Sequence, residues 1–248
     1  TNRRFVRVCG TRTGGFIDFI APADGSYTLK ISDFLYRGGD EYFYRLTLST
    51  GPRVDFALPA AGVPGTKTNI TFYGRNLPGG KPSKEFSVGG KPLEQVTVEV
   101  AFPTEDKARL LNVGTLQRPS DVPVDVFEYR LKSPKGPSNP VLLGLAAAPV
   151  LTEQEPNNSP AKAQRLTPPC EVTGQFFPAT EQDWFTFDAK AGEVFWIEVY
   201  SQRLGLPTDP FVLVQRVKKN DKGEEQSTDV LELGDLDTNL GDREFNTA

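Results

Sequence analysis

The chain has 248 residues and a net charge of −4, and its 23 Gly and 21 Pro leave little room for long helices. The absence of His excludes His-based acid–base catalysis, His-containing catalytic triads and imidazole-ligated metal sites. Residues 151–248 hold eighteen acidic and nine basic residues, which argues against a nucleic-acid surface there, and no long apolar run predicts a membrane-spanning helix. Met is also absent, so we expect the chain to be a processed or partial piece of a longer protein.

Short segments in which apolar and polar residues alternate recur along the chain and are separated by turns. This pattern is typical of half-buried β-strands. The segments are 25–31, 42–48, 68–73, 96–100, 126–131, 184–187, 194–200 and 211–217. One short helix is predicted over 159–166, with Pro160 in its first turn. Because turns recur about every ten residues, we predict an all-β protein built from tandem antiparallel β-sandwiches.

Two Pro-rich segments with few large apolar residues predict domain boundaries. They are LPAAGVPG at 58–65 and AAAPVLTEQEP at 146–156. The chain is therefore expected to contain three domains or parts of domains, at 1–51, 52–150 and 151–248.

A series of motifs in the last third resembles a known bacterial family. The series is EQEPNN at 153–158, Ala161 and Ala163, VTG at 172–174, DWFTF at 183–187, AG at 191–192 and DP at 209–210. In this order and spacing it resembles the bacterial pre-peptidase C-terminal domain, a secreted β-sandwich similar to the collagen-binding modules of collagenases. Residues 151–248 resemble the N-terminal part of such a domain. Residues 1–51 resemble its C-terminal part, through APADGSY at 21–27 and YFYRL at 42–46.

The middle of the chain resembles a different family. TFYGRNL at 71–77 is similar to an early stretch of bacterial immunoglobulin-like domains of the IPT/TIG type. Together the two resemblances imply jelly-roll-like and immunoglobulin-like sandwiches in a secreted or cell-envelope protein. They imply structural or adhesive modules and no peptidase active site on this chain.

The resemblance also implies a calcium site. Carboxylates and amides are the ligands that calcium prefers, and they crowd the EQEPNN segment. The candidate ligands are Glu153, Glu155, Asn157, Glu181 and Asp183. Glu181 stands where the relatives carry Asp, so its longer side chain changes the geometry. The alternative is an extended turn in which Asn side chains bond to the backbone.

Three other features are weaker candidates for sites. Trp184, Trp196 and Tyr200 are candidate ligand-binding aromatics, although the strand-like context of Trp184 and Trp196 favours the core for those two. The segment 235–241 resembles the start of an EF-hand loop but has Gly one position late, which favours a polar hairpin. Cys9 and Cys170 are either free thiols or one long-range disulfide.

We therefore expect a non-catalytic structural or adhesive module of an extracytoplasmic bacterial protein. Its expected partners are other copies or domains of the parent protein, together with extracellular protein or polysaccharide, and not nucleic acid or the membrane interior. The alternative is a module that directs a secreted hydrolase to protein fibres or polysaccharide. Outward-facing aromatics would favour that alternative.

Overall fold

A computed structural model of the chain describes residues 20–33, 35–36, 38–88, 90–104, 125–178, 180–201, 204, 208, 210–220, 223 and 225–233. The chain divides into two compact units, Thr1–Leu48 and Ser49–Ala248. The elements along the described residues are thirteen strands and a 3₁₀ turn. The predicted all-β class with antiparallel sheets is confirmed.

All of the strands that the structure describes lie in the second unit. In chain order they are β1 Arg53–Leu58, β2 Ala61–Gly62, β3 Lys67–Arg75, β4 Lys81–Val88, β5 Lys91–Ala101, β6 Val126–Tyr129, β7 Val141–Leu145, β8 Val150–Thr152, β9 Gln164–Arg165, β10 Glu171–Thr173, β11 Phe185–Thr186, β12 Val212–Lys219 and β13 Glu225–Leu233. The 3₁₀ turn spans Pro160–Lys162, between β8 and β9.

The middle of the chain forms a sandwich of two sheets. One sheet has the order β1-β3-β5-β4 with antiparallel pairs, and the other has the order β2-β7-β6. Alternating apolar residues of both sheets meet in a core that includes Ile70, Phe72, Val100, Phe127 and Leu143. The predicted strands at 68–73, 96–100 and 126–131 thus correspond to β3, β5 and β6.

The edge of β1 in this sandwich is closed by a side-chain amide. The Asn139 Nδ2 group donates to the Val54 carbonyl at 2.9 Å, and the Asn139 Oδ1 atom accepts from the Val54 N–H at 2.8 Å. On the other side of β1, Gly74 pairs with Val54, and a Cβ at Gly74 would collide with the Arg53 carbonyl oxygen. The close approach of β1 and β3 therefore requires glycine at this position.

The remaining described strands form three separate pairs. β8 pairs with β10, and β9 pairs with β11, and both pairs are parallel. β12 and β13 form an antiparallel pair that contains the predicted strand at 211–217. The β2–β7 pair is parallel as well. Parallel pairing departs from the purely antiparallel prediction, because each pair joins strands separated by a long connection instead of a hairpin.

Several other predicted elements are wrong in detail. No strand lies at 25–31, 42–48 or 194–200. Alternation of apolar and polar residues favours an extended backbone, but a strand forms only where a second strand pairs with it. The predicted helix shrinks to Pro160–Lys162, since Gln164 and Arg165 pair with β11. The predicted linker at 58–65 contains the end of β1 and all of β2.

Among the described residues, no helix has the length and apolar character needed to cross a membrane.

Candidate functional site

The acidic segment after β8 is positioned by the parallel pairing of β8 with β10. The Glu153 N–H donates to the Thr173 carbonyl at 2.9 Å, which extends the ladder by one residue. The Glu153 side chain then turns toward the loop after β10, where its Oε2 atom accepts from the Gln175 N–H at 2.9 Å. Glu153 is therefore held at both its backbone and its carboxylate.

Three carboxylates from this region converge. One oxygen each of Glu153, Glu155 and Asp183 lies within 4.8 Å of the other two. Asp183 comes from the approach to β11, about thirty residues away in the chain, so the tertiary structure brings the group together. Of the Cys, Asp and Glu side chains that the structure describes, these three form the one group close enough to share a metal ion.

Asn157 lies beneath the carboxylates and is completely buried, with 0% of its surface exposed. Its Nδ2 group donates to Glu153 Oε1 at 3.0 Å, and its backbone N–H donates to Glu155 Oε2 at 3.1 Å. Its backbone carbonyl accepts from the Trp184 N–H at 3.0 Å, which ties the turn to the approach of β11. Asn157 thus connects all three segments of the cluster.

Two buried oxygens of the cluster have no hydrogen-bond partner. They are Asn157 Oδ1 and Asp183 Oδ1. A buried oxygen without a donor is costly, so native structures usually supply a donor or a cation. Both atoms are hard oxygen ligands next to carboxylates, and this arrangement fits a cation such as calcium.

Glu181 is the predicted ligand that the structure uses differently. Its Oε1 atom accepts from Asn158 Nδ2 and its Oε2 atom accepts from the Phe177 N–H, each at 2.6 Å. Burial, together with Glu155, raises the pKa of Glu181, and the bonds from Phe177 and Asn158 oppose that rise. Glu181 therefore braces the loop beside the cluster, and Asn158 and Phe177 are contacts that the motif did not predict.

Asp183 has the most perturbed acidity of the cluster. Burial raises its pKa to about 7, and the charges of Glu153, Glu181 and Glu155 add to the effect. A raised pKa means that the ionised carboxylate lacks sufficient positive charge around it. A divalent cation would supply that charge.

The three predicted aromatic residues do not share one environment. Trp184 is half-buried, whereas Trp196 is 78% exposed and Tyr200 is 43% exposed. The expectation of a core position is therefore wrong for Trp196. The Tyr200 hydroxyl donates to Glu198 Oε2 at 2.7 Å. Trp184 lies beside the acidic cluster through its bond to Asn157, while the other two lie in 194–200.

The structure describes Cys170 but not the other two remaining candidates, Cys9 and the segment 235–241. Cys170 is half-buried with a free thiol, and Cys9 lies outside the described residues. The EF-hand-like segment 235–241 also lies outside them.

Comparison with known proteins adds no assignment. No family model, curated protein or solved structure matches this chain.

Proposed function

We propose that the chain is a non-catalytic structural or adhesive part of a secreted or cell-envelope bacterial protein, and that a calcium ion stabilises its last third. The observation that carries the proposal is the convergence of three carboxylates above a buried Asn157 whose Oδ1 atom has no partner. The motif order that resembles pre-peptidase C-terminal domains supports the extracytoplasmic location.

The ligand set favours calcium among the common metals. Glu153, Glu155, Asp183 and the amide oxygen of Asn157 would hold the ion with oxygen atoms alone. Zinc and copper sites generally draw on His or Cys, and this chain has no His. Calcium accepts flexible shells of carboxylate and amide oxygens, whereas magnesium demands a strict octahedron. The bound ion would offset the mutual repulsion of the carboxylates.

The acids of the cluster already have structural roles. Glu153 bonds to Gln175 and Asn157, and Glu155 bonds to the Asn157 N–H. Glu181 bonds to the Phe177 N–H. Acids that hold backbone groups in this way define the path of the chain around an ion, which favours a stabilising metal over a reactive one.

A targeting function remains a second proposal because of one observation. Trp196 is largely exposed, and exposed aromatic rings can stack on flat apolar faces of a ligand. This favours binding of protein fibre or polysaccharide by the same part of the chain.

The calcium proposal is tested by thermal unfolding in calcium and in chelator. A ligand that binds only the folded state at 100 times its dissociation constant adds about 2.7 kcal/mol, so the melting temperature should rise by several degrees. Asp183→Asn should abolish the calcium response. Asp188→Asn is the matched control, because Asp188 is exposed and pairs with Arg165 outside the cluster. Identical melts of the unaltered chain in calcium and chelator would refute the site.

A further inference from the structure

An open groove of about 680 Å³ lies between two strands that do not pair with each other. It is lined on one side by 151–156, which follow from β8, and on the other side by 162–165, which lead into β9. β8 pairs only with β10 among the described strands, and β9 pairs only with β11. Each strand therefore turns one unpaired edge toward the groove.

The free edge of β8 follows from its pairing with β10. The Pro149 carbonyl accepts from the Glu171 N–H at 3.0 Å, and the Glu153 N–H donates to the Thr173 carbonyl at 2.9 Å. In a parallel ladder alternate residues bond to the same neighbour. The main-chain groups of Thr152 and Gln154 therefore point the other way, toward the groove.

The free edge of β9 follows in the same manner. The Gln164 N–H donates to the Trp184 carbonyl at 2.9 Å, and the Leu166 N–H donates to the Thr186 carbonyl at 2.8 Å. The intervening Arg165 consequently directs its main-chain N–H and carbonyl away from β11 and toward the groove.

A side-chain amide already occupies part of the gap. Gln164 Nε2 donates to the Thr152 carbonyl at 3.2 Å, and Gln164 Oε1 accepts from the Gln154 N–H at 2.9 Å. A carboxamide carries the same donor and acceptor as one peptide unit. Gln164 therefore bonds to the β8 edge as a single peptide unit of an added strand would.

We propose that this groove binds an extended polypeptide segment of a partner protein, which adds as a strand between β8 and β9 and displaces the Gln164 amide. The added strand would join the two parallel pairs into one sheet. The groove proposal rests on the proposed adhesive function, because it names the class of partner that an adhesive module would bind. Two residues that line the groove, Glu153 and Glu155, also belong to the proposed calcium site, so peptide binding is measured both with and without calcium.

The chemistry of the groove defines the partner. Recognition runs through main-chain groups of Thr152, Gln154 and Arg165, so it tolerates many side chains but requires an extended backbone with free N–H groups. Pro at a bonded position would remove a donor and is excluded. β-Branched residues such as Thr and Val favour the extended conformation and suit the partner segment.

The test is a titration of the ¹⁵N-labelled chain with the peptide acetyl-Thr-Val-Thr-Val-Thr-amide, followed by NMR. The expected result is a saturable shift of the Gln154 and Arg165 amide signals and of the Gln164 side-chain NH₂ signals. The same peptide with N-methyl groups on its second and fourth residues loses the donors of one edge and cannot bridge both strands, so it should need a much higher concentration to produce these shifts. Equal shifts with both peptides would show non-specific adsorption and overturn the proposal.

Gln164→Ala provides a second arm. Removal of the competing amide should tighten peptide binding about tenfold, since two hydrogen bonds need no longer be broken. Gln215→Ala is the matched control, because Gln215 also uses its side-chain amide, toward Asp229 on β13. The control should bind like the unaltered chain. If Gln164→Ala fails to fold, the comparison of the two peptides on the unaltered chain decides the matter by itself.

All titrations are run in calcium and in chelator. Binding in both buffers supports the groove whatever the outcome for calcium, and absence of shifts in both overturns it while leaving a calcium response of the melt intact. Changes of the groove amides on concentrating the chain without peptide would show that a second copy fills the groove, and this would also overturn the proposal.

Discussion

Asp183 and Asn157 show how much the chemistry of single residues depends on distant neighbours. Asp183 stands near Glu153 and Glu155 because the N–H of the next residue, Trp184, donates to the Asn157 carbonyl, and burial with these charges raises the pKa of Asp183 to about 7. Asn157 is held in place by bonds to both glutamates. Neither environment can be recognised from the immediate sequence around the residue.

The raised pKa of Asp183 predicts a pH dependence of stability in metal-free solution. Its ordinary value is 3.8, so between about pH 4 and pH 7 the folded chain keeps a proton that the unfolded chain has lost. The free energy of unfolding should therefore fall as the pH rises through this window, and the loss is complete above pH 7. Because the side chain is partly exposed, we expect solvent screening to reduce the effect to ~1 kcal/mol.

Urea unfolding at pH 5 and pH 8 measures this dependence. Asp183→Asn should become the more stable form at pH 8 in chelator and should show a smaller difference between the two pH values. Asp188→Asn is again the control, because it removes an exposed carboxylate outside the cluster. A pH dependence that is unchanged in Asp183→Asn would contradict the proposed environment of Asp183.

Among the elements, β3 is one of the two inner strands of the first sheet of the sandwich. It pairs with β1 on one side and with β5 on the other, and it contributes Ile70 and Phe72 to the core. Phe72 is fully buried and stacks on Tyr129 of β6, with ring centroids 5.2 Å apart. This contact joins the two sheets across the core.

Phe72→Ala should destabilise the sandwich by about 3–5 kcal/mol, because it removes a large ring and leaves a cavity. The matched control is Phe43→Ala, since Phe43 is 92% exposed and its loss should change stability by no more than about 0.5 kcal/mol. Chemical denaturation followed by circular dichroism distinguishes the two. Equal midpoints for both variants would argue against a core that contains Phe72. Phe72→Leu serves as a milder change if the alanine variant does not fold.

At the scale of the whole molecule, apolar burial is uneven. The sandwich of β1–β7 encloses a continuous core, whereas the described residues of 20–48 form no strand and expose large side chains such as Leu48 and Tyr36. The segment 194–200 and the β12–β13 pair also expose apolar residues, including Val194 and Val230. Local stability should follow this distribution, because openings cost most where most apolar surface is buried.

Hydrogen exchange checks this expectation. Backbone amides of β3 and β5 should exchange most slowly, and amides of the exposed residues 43–48 should exchange orders of magnitude faster. The β8 and β10 amides should gain protection on addition of calcium. Uniform protection along the chain would show that the exposed segments are folded as firmly as the sandwich.

The sequence by itself determined the all-β class and the positions of β3, β5, β6 and β12. These features depend on local alternation of apolar residues, which is visible along the chain. Glu153, Glu155 and Asp183 were expected to act together only through the resemblance to a known family, and their convergence was decided by the tertiary structure. Four features were decided only by the tertiary structure. They are the bond of Glu181 to the Phe177 N–H, the exposure of Trp196, the parallel pairing of strands and the bridging side-chain amide of Gln164. Each of these depends on which strand edges meet, and the meeting of edges is set by contacts between residues far apart in the chain.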